Sequence, residues 1–281
     1  MKIKIILSLL FLIIVVWSFV FVYENDSKFK VYYLDIGQGD SIFIETPEKF
    51  QVLIDGGPDN SVLSELSSIM PFYDREIDLL VLSHPQQDHL FGLIEVLKRY
   101  KVKNILFASV EYDSGFYDEF KRLVDEKNIN KIEAKAGLKL DIGEIAFIDI
   151  LYPFYDVSGS DSDNANDVSL AFIVNFLNKK FIFSGDAELK EELDLVNSNL
   201  DIKADVLKVG HHGSKTSTSE LFLDKVNPEI AVISVGENNP YNHPSDIVME
   251  RLKDIKTFRT DIDGMVTIST DGLSLDYKTE L

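Results

Sequence analysis

Asp78-Leu79-Leu80-Val81-Leu82 runs directly into Ser83-His84-Pro85-Gln86-Gln87-Asp88-His89, and the reading of the whole chain starts from this stretch. An apolar run that reads as a buried strand ends abruptly in His, Asp and His. Those side chains fill a core poorly, but at the end of a sheet they can hold a metal ion. His84 and the Asp88-His89 pair come from one short loop, so few torsions need freezing to aim them at a common centre. The apolar pattern from Leu90 to Tyr100 predicts a helix closing behind that loop. Read alone, the loop also fits a solvated surface turn, so the rest of the chain has to decide.

Upstream, Lys30 to Ile36 reads as a strand broken by Gly37-Gln38-Gly39-Asp40. Ser41 to Glu45 is a second strand, and Gln51 to Asp55 a third that ends in Gly56-Gly57. Glycine turns between successive strands suggest an antiparallel meander. Asp55 is then a strand-end carboxylate, with a plain tight turn as the other reading. Downstream, Asn104 to Ala108, Lys131 to Ala134, Leu138 to Leu140 and Ile145 to Tyr152 are strand-like, and Asp156 to Asn166 is a polar loop. Val168 to Phe176 and Lys179 to Phe183 pair as a hairpin whose second strand ends in Ser184-Gly185-Asp186. Ala204 to Val209 ends in Gly210-His211-His212-Gly213-Ser214, a second histidine cluster. Ile230 to Val235 precedes Asn239-Pro240-Tyr241-Asn242-His243-Pro244-Ser245, and Met265 to Ser269 with Leu273 to Tyr277 form a closing hairpin. Helices are expected over Asn60 to Met70, Phe116 to Lys127, Glu188 to Val196, Ser219 to Val226 and from the Ser245 cap to Leu252.

The informative pattern is positional. All five histidines follow predicted strands, as do Asp55, Asp88 and Asp186. If those strand ends share one edge of their sheets, the groups converge. Histidines used as core filler would not collect this way, so the joint reading is a polynuclear metal site.

With 45% hydrophobic residues, the 281-residue chain has ample material for a large core. It has no cysteine, which excludes a disulfide framework, a thiolate zinc cluster and a cysteine nucleophile. Any metal is therefore held by His, carboxylate or amide groups, which suits Zn, Mn or Mg. The formal net charge of −19 repels a phosphodiester backbone at long range. A nucleic-acid enzyme of this charge has to rely on a local basic patch or on metal ions.

Lys2 and Lys4 precede an uncharged apolar run, Ile5 to Tyr23, of about the length that crosses a bilayer as a helix. No small-residue cleavage site follows it; Glu24-Asn25-Asp26-Ser27-Lys28 comes next. The positive-inside rule places the N-terminus in the cytoplasm and the remainder outside. Residues 1–26 are accordingly read as an uncleaved signal anchor, a single-pass transmembrane helix of the cell membrane. Residues 27–281 are read as one extracytoplasmic domain. A cleaved signal peptide is the alternative.

His84, Asp88 and His89 match three of the four positions of the His-x-His-x-Asp-His signature of the metallo-β-lactamase superfamily, which this chain resembles from about Lys30 to Tyr277. The resemblance implies an α/β fold, the four-layer αββα sandwich, with metals at one edge. It also implies that Asp186 is the bridging aspartate and His243 the last histidine ligand. Within the superfamily the chain is most similar to the extracytoplasmic hydrolase domain of ComEC-type DNA-uptake proteins. Leu34-Asp35-Ile36-Gly37-Gln38-Gly39-Asp40-Ser41, Asn166-Asp167-Val168-Ser169 and Lys208-Val209-Gly210-His211-His212-Gly213-Ser214 resemble motifs of that type in the same order. The second signature position is Gln86 here, a weak neutral ligand. A site on His84 and Gln86 would need Asp167, water or substrate oxygen to complete it, while Asp88, His89, Asp186 and His243 make a fuller set.

The mechanism implied is metal-dependent hydrolysis with one or two divalent ions, Zn or Mn. In it Asp88 orients the nucleophile, and His211 or His212 donates a proton or hydrogen bond to the leaving group. Asp40, Ser214, Lys215 and Tyr241 are the candidate substrate contacts. The expected substrate is nucleic acid or another phosphodiester. A single anchor helix cannot form a pore, so the reading is a stand-alone hydrolase domain, with or without a separate channel protein beside it. Two rivals stay open: hydrolysis of another ester or amide, β-lactams included, and a degenerate binding module that has lost its chemistry with Gln86.

Overall fold

The computed structural model describes residues 2–24, 28–160 and 164–281, leaving out the side chains of residues 2–3, 16 and 18–24. The first helix, α1 (Lys2–Glu24), carries exposed apolar side chains from Ile5 to Val15. Among the described residues no helix is long and apolar enough to cross a membrane, so the expected transmembrane span is not shown. The expected boundary between residues 26 and 27, and part of the polar loop from Asp156 to Asn166, lie outside the described residues.

The expected meander forms at the start of the domain. Strands β1 (Phe29–Tyr33), β2 (Ile42–Glu45) and β3 (Gln51–Ile54) pair antiparallel. Parallel strands β4 (Glu76–Val81), β5 (Lys101–Phe107) and β6 (Asn130–Glu133) extend the sheet beyond β3. The C-terminal hairpin, β14 (Val266–Thr270) and β15 (Leu275–Thr279), adds to the other side of β1. A second sheet runs from β7 (Lys139–Asp141) through β8 (Ala146–Tyr152), β9 (Ala171–Phe176) and β10 (Lys179–Phe183). It continues in parallel through β11 (Val206–Lys208), β12 (Ile230–Ile233) and β13 (Lys256–Arg259).

Alternation along each strand builds the layers. In β3, Val52 and Ile54 enter the core between the sheets, while Leu53 faces the helices outside. The rings of Phe29 and Phe176 stack at 4.9 Å and those of Tyr33 and Phe183 lie 6.4 Å apart, joining the two sheets through their aromatic faces. Each such fully buried ring stabilises the fold by about 1.5–3 kcal/mol through the area it removes from water. Helices α2 (Ser61–Ile69), α3 (Gln87–Arg99) and α4 (Gly115–Glu126) cover the first sheet with Leu66, Leu93, Leu97 and Phe120. Helices α5 (Leu189–Asn197), α6 (Glu220–Val226) and α7 (Asp246–Arg251) cover the second with Leu195, Phe222 and Val248. The four αββα layers expected from the sequence are therefore present.

Close backbone approach fixes α3 over the strand ends. A Cβ on Gly92 would lie 1.8 Å from the carbonyl oxygen of Gly56, so neither backbone leaves room for a side chain there. Two local expectations are corrected, and one strand is added. Helix α3 begins at Gln87 rather than Leu90, which moves Asp88 and His89 from the loop into its first turn. The strand expected from Val168 begins at Ala171, after a 3₁₀ turn over Ala165–Val168. Strand β13 was not foreseen, because only Phe258 of its four residues is buried and no alternation marks it.

Candidate metal centre

Parallel pairing brings the C-terminal ends of β3 and β4 to one edge of the first sheet, and those of β10, β11 and β12 to one edge of the second. Asp55 follows β3 and His84 follows β4, while Asp186 follows β10 and His211-His212 follow β11. Strand ends of parallel sheets are where α/β folds gather ligands. Here the two edges meet around Asp186.

Asp186 is buried, and four imidazoles face its carboxylate. Its Oδ1 lies 3.4 Å from His89 Nε2; its Oδ2 lies 3.5 Å from His212 Nε2, 3.7 Å from His211 Nε2 and 4.0 Å from His84 Nε2. Asp88 joins from α3, with its Oδ2 3.4 Å from His212 Nε2. One donor atom each from Asp88, His89, Asp186 and His212 fall within 4.8 Å of one another.

A layer behind this cluster holds the rings in place. His89 Nδ1 meets Asp55 Oδ2 at 2.9 Å, and Asp55 also accepts from Ser83 N at 2.8 Å and Ser83 Oγ at 2.6 Å. His212 Nδ1 lies 3.0 Å from the carbonyl oxygen of Ser234 and 3.3 Å from Asp40 Oδ1. Asp40 is itself paired with Lys208, and both are almost fully buried. Carboxylate and carbonyl partners at Nδ1 leave Nε2 as the atom that faces the centre.

The electrostatics follow from these contacts. Burial opposes charge on Asp40, yet the Lys208 ammonium and His212 hold its carboxyl down at about 2. Burial likewise opposes charge on Asp186, but His212 and His89 hold it well below the usual carboxylate range. His89 is pushed well above the ordinary histidine value by Asp186 and Asp55, against its burial. His84 moves the other way, to about 3, through burial and the neighbouring His89.

The residues present fit a metal. Both Asp186 carboxylate oxygens and the Nε2 atoms of His84, His89 and His212 are buried without a hydrogen-bond partner. Buried polar atoms left unpaired are costly, and five of them pointed at one space call for a cation. Two carboxylates and two imidazoles form an oxygen–nitrogen donor set suited to a divalent ion.

Several expected residues take other places. His243 does not enter the cluster: its ring stands 5.7 Å from that of His211 and stacks on Tyr241, whose side chain is exposed. The fourth position goes to His212, one of the two histidines expected to donate a proton or hydrogen bond. His211 stays at the pocket wall, its Nδ1 3.3 Å from Glu188 Oε1. Gln86 donates its amide to Asn166 Oδ1 at 2.8 Å. The Asp167 carboxylate turns to Asn164 and Lys190 instead of the centre. Asp40, expected at the substrate, lies behind the ligands. Ser214 is buried against Thr216 Oγ1 at 2.9 Å, and Lys215 lines a neighbouring cavity of about 840 Å³. Ser83, Glu188 and Lys208 join the site without having been expected there. For Lys208 there was a signal: a cation ends a strand whose other residues are apolar.

Above the cluster lies a cavity of about 480 Å³ lined by Gln38, Gln86, Asp88, His211, His212, Tyr241 and His243 among others. Two facing sheets, outer helices and a histidine–aspartate centre at the strand ends define a class. The chain belongs to the metallo-beta-lactamase superfamily, which it matches over residues 34–237. It is similar to ComE operon protein 3 of Bacillus subtilis, with 34% identity over 264 residues covering 85% of this chain and 33% of that protein. It is also similar to Recombination protein 2 of Haemophilus influenzae, with 34% identity over 243 residues covering 84% and 28%. The chain thus spans about a third of the length of these curated relatives. Among solved structures, Igni18 of Ignicoccus hospitalis, described as a novel metallo hydrolase, has a TM-score of 0.55. At 15% identity over 85% of this chain and 98% of Igni18, that likeness concerns the fold.

Proposed function

We propose that this chain is a metal-dependent phosphodiesterase, acting on nucleic acid, held to the outer face of the cell membrane by its N-terminal segment. The observation that carries the hydrolytic reading is the set of unpaired ligand atoms around Asp186, beneath an open cavity. Asp88, His89, Asp186 and His212 would hold the ion. A divalent cation bound there supplies Lewis acidity and lowers the pKa of water enough for attack near neutral pH. Asp55 and Asp40 fix the His89 and His212 rings. Asp88, the most exposed of the four, is placed to orient an attacking water. His211, partly exposed between Asp186 and Glu188, is placed to face the leaving group.

The nucleic-acid reading draws on the ComEC-like motifs and on a relative named for recombination. Among the described residues the cavity lining includes no Lys or Arg, so substrate phosphate would be met through the metal and neutral groups. Binding should therefore depend on salt less steeply than for proteins that grip the backbone with several cations. The anchoring reading draws on the apolar run from Ile5 to Tyr23 and the Lys2 and Lys4 flank. Carbonate-resistant, detergent-released partitioning of the full chain tests it.

The deciding experiment compares DNA and a model phosphodiester with nitrocefin, using the native chain, Asp88→Ala and His89→Ala. Diester cleavage that needs a divalent ion and disappears in both variants is expected. Activity in both variants unchanged from the native chain, or turnover of nitrocefin alone, would defeat the proposal.

A further inference from the structure

We infer that the centre holds one resident divalent ion, and that Gln86, a neutral amide tied to Asn166, leaves the position a second would need without a charged or imidazole ligand beside His84. This rests on the metal-hydrolase reading and goes beyond it in stoichiometry.

Among the described residues, only two groups of His, Asp and Glu donors close within 4.8 Å. One is Asp88, His89, Asp186 and His212. The other, Asp40, Asp55 and His89, is already occupied by protein partners: Lys208 pairs with Asp40, and Ser83 donates twice to Asp55. No third group forms around His84. Its Nδ1 meets Ser83 Oγ at 2.9 Å, and its Nε2 has only Asp186 Oδ2 at 4.0 Å. His211 faces the same carboxylate oxygen but does not close a group with His84.

Gln86 lines the cavity above the cluster, two residues on from His84. Its Nε2 is committed to Asn166 Oδ1 at 2.8 Å. Both ends of this pair are held. Gln86 is the N-cap of α3, and buried Asn166 sits in a 3₁₀ turn where Ser169 N donates to its carbonyl at 3.0 Å. The protonated Nε2 cannot ligate, so only the Oε1 of Gln86 could face a metal, and a neutral amide oxygen is a weak ligand. The second position is left with one imidazole and a shared carboxylate oxygen, too few to retain an ion without substrate.

The test loads the full chain, in detergent, with Mn(II), removes unbound metal, and then counts ions and records the electron paramagnetic resonance spectrum. The native chain should retain about one ion with the signal of isolated Mn(II). Gln86→Asp and Gln86→His should retain about two, with an exchange-coupled signal. Gln87→Asp, at the exposed neighbouring position, should stay at the native count. Two ions with a coupled signal in the native chain would overturn the inference, whether or not the variants fold. So would folded Gln86 variants that stay at one ion. A native chain that retains no ion would instead bring down the metal-hydrolase reading on which the inference stands.

Discussion

His212 Nε2 lies 3.5 Å from Asp186 Oδ2 and 3.4 Å from Asp88 Oδ2, while the ring of His243, farther along the chain, meets those of His211 and Tyr241 instead. The two histidines should therefore separate cleanly by mutation. His212→Ala is expected to weaken metal retention by more than the roughly 10–100-fold typical of losing an outer partner of a ligand. His243→Ala should keep its metal and raise KM several-fold, since it alters only the cavity wall. Metal analysis alongside steady-state kinetics checks both, and equal metal loss in the two variants would contradict the placement.

Asp55 sits one layer back, holding His89 Nδ1 at 2.9 Å. Its backbone is left-handed at φ 56°, a conformation that asparagine also tolerates. Asp55→Asn should therefore fold, yet lose the charge that fixes the His89 ring. A drop of about 10–100-fold in metal affinity is expected, read by competition with a chromogenic chelator. Unchanged affinity would mean that the ring is held by packing alone.

The Gly56–Gly92 contact ties α3 to the strand end that carries Asp55. A methyl group on Gly92 meets backbone, which cannot move aside as a flexible side chain would. Gly92→Ala is expected to destabilise the fold by about 1–3 kcal/mol. Because α3 bears Asp88 and His89, metal retention should fall with it. Denaturant unfolding with and without metal measures the two effects.

Away from the centre, half-buried Glu65 is pushed from 4.5 up to about 7 by burial and by the carboxylates of Glu280 and Asp35. A folded-state pKa raised above the unfolded one favours the fold only while the group is protonated. Its contribution is complete below about pH 4.5 and is lost as the pH rises through about 7. Glu65→Gln should thus match the native Tm near pH 4 relative to its own baseline, and gain on it steadily towards pH 8. A difference that stays constant across this range would show that Glu65 does not titrate as described.

Much of this protein was readable before any fold was known. The apolar runs ending at Asp55, Leu82, Phe183 and Val209 announced strands, and the residues after them announced the chemistry. Both signals are local, because alternation and abrupt polar termination are properties of a few neighbouring residues. The layering followed from them, since strands apolar on both faces must be covered on both. Strand β13 escaped because it is short and mostly exposed, and the start of α3 because Gln87, Asp88 and His89 add nothing to the apolar stripe.

Sequence alone thus determined that histidines and aspartates gather at the strand ends of a layered α/β domain. Which of them meet was decided by tertiary structure. His211 and His212 are adjacent in the chain, yet both adopt left-handed backbone, φ 45° and 52°, and their rings stand at 74° to each other. One therefore turns to Glu188 and the other into the cluster, leaving His243 outside. In the same way Asp40 lies behind the ligands because Lys208, remote in sequence, is buried against it. Such choices depend on how two sheets are set against each other and on the direction of individual Cα–Cβ bonds, which the spacing of residue types does not specify.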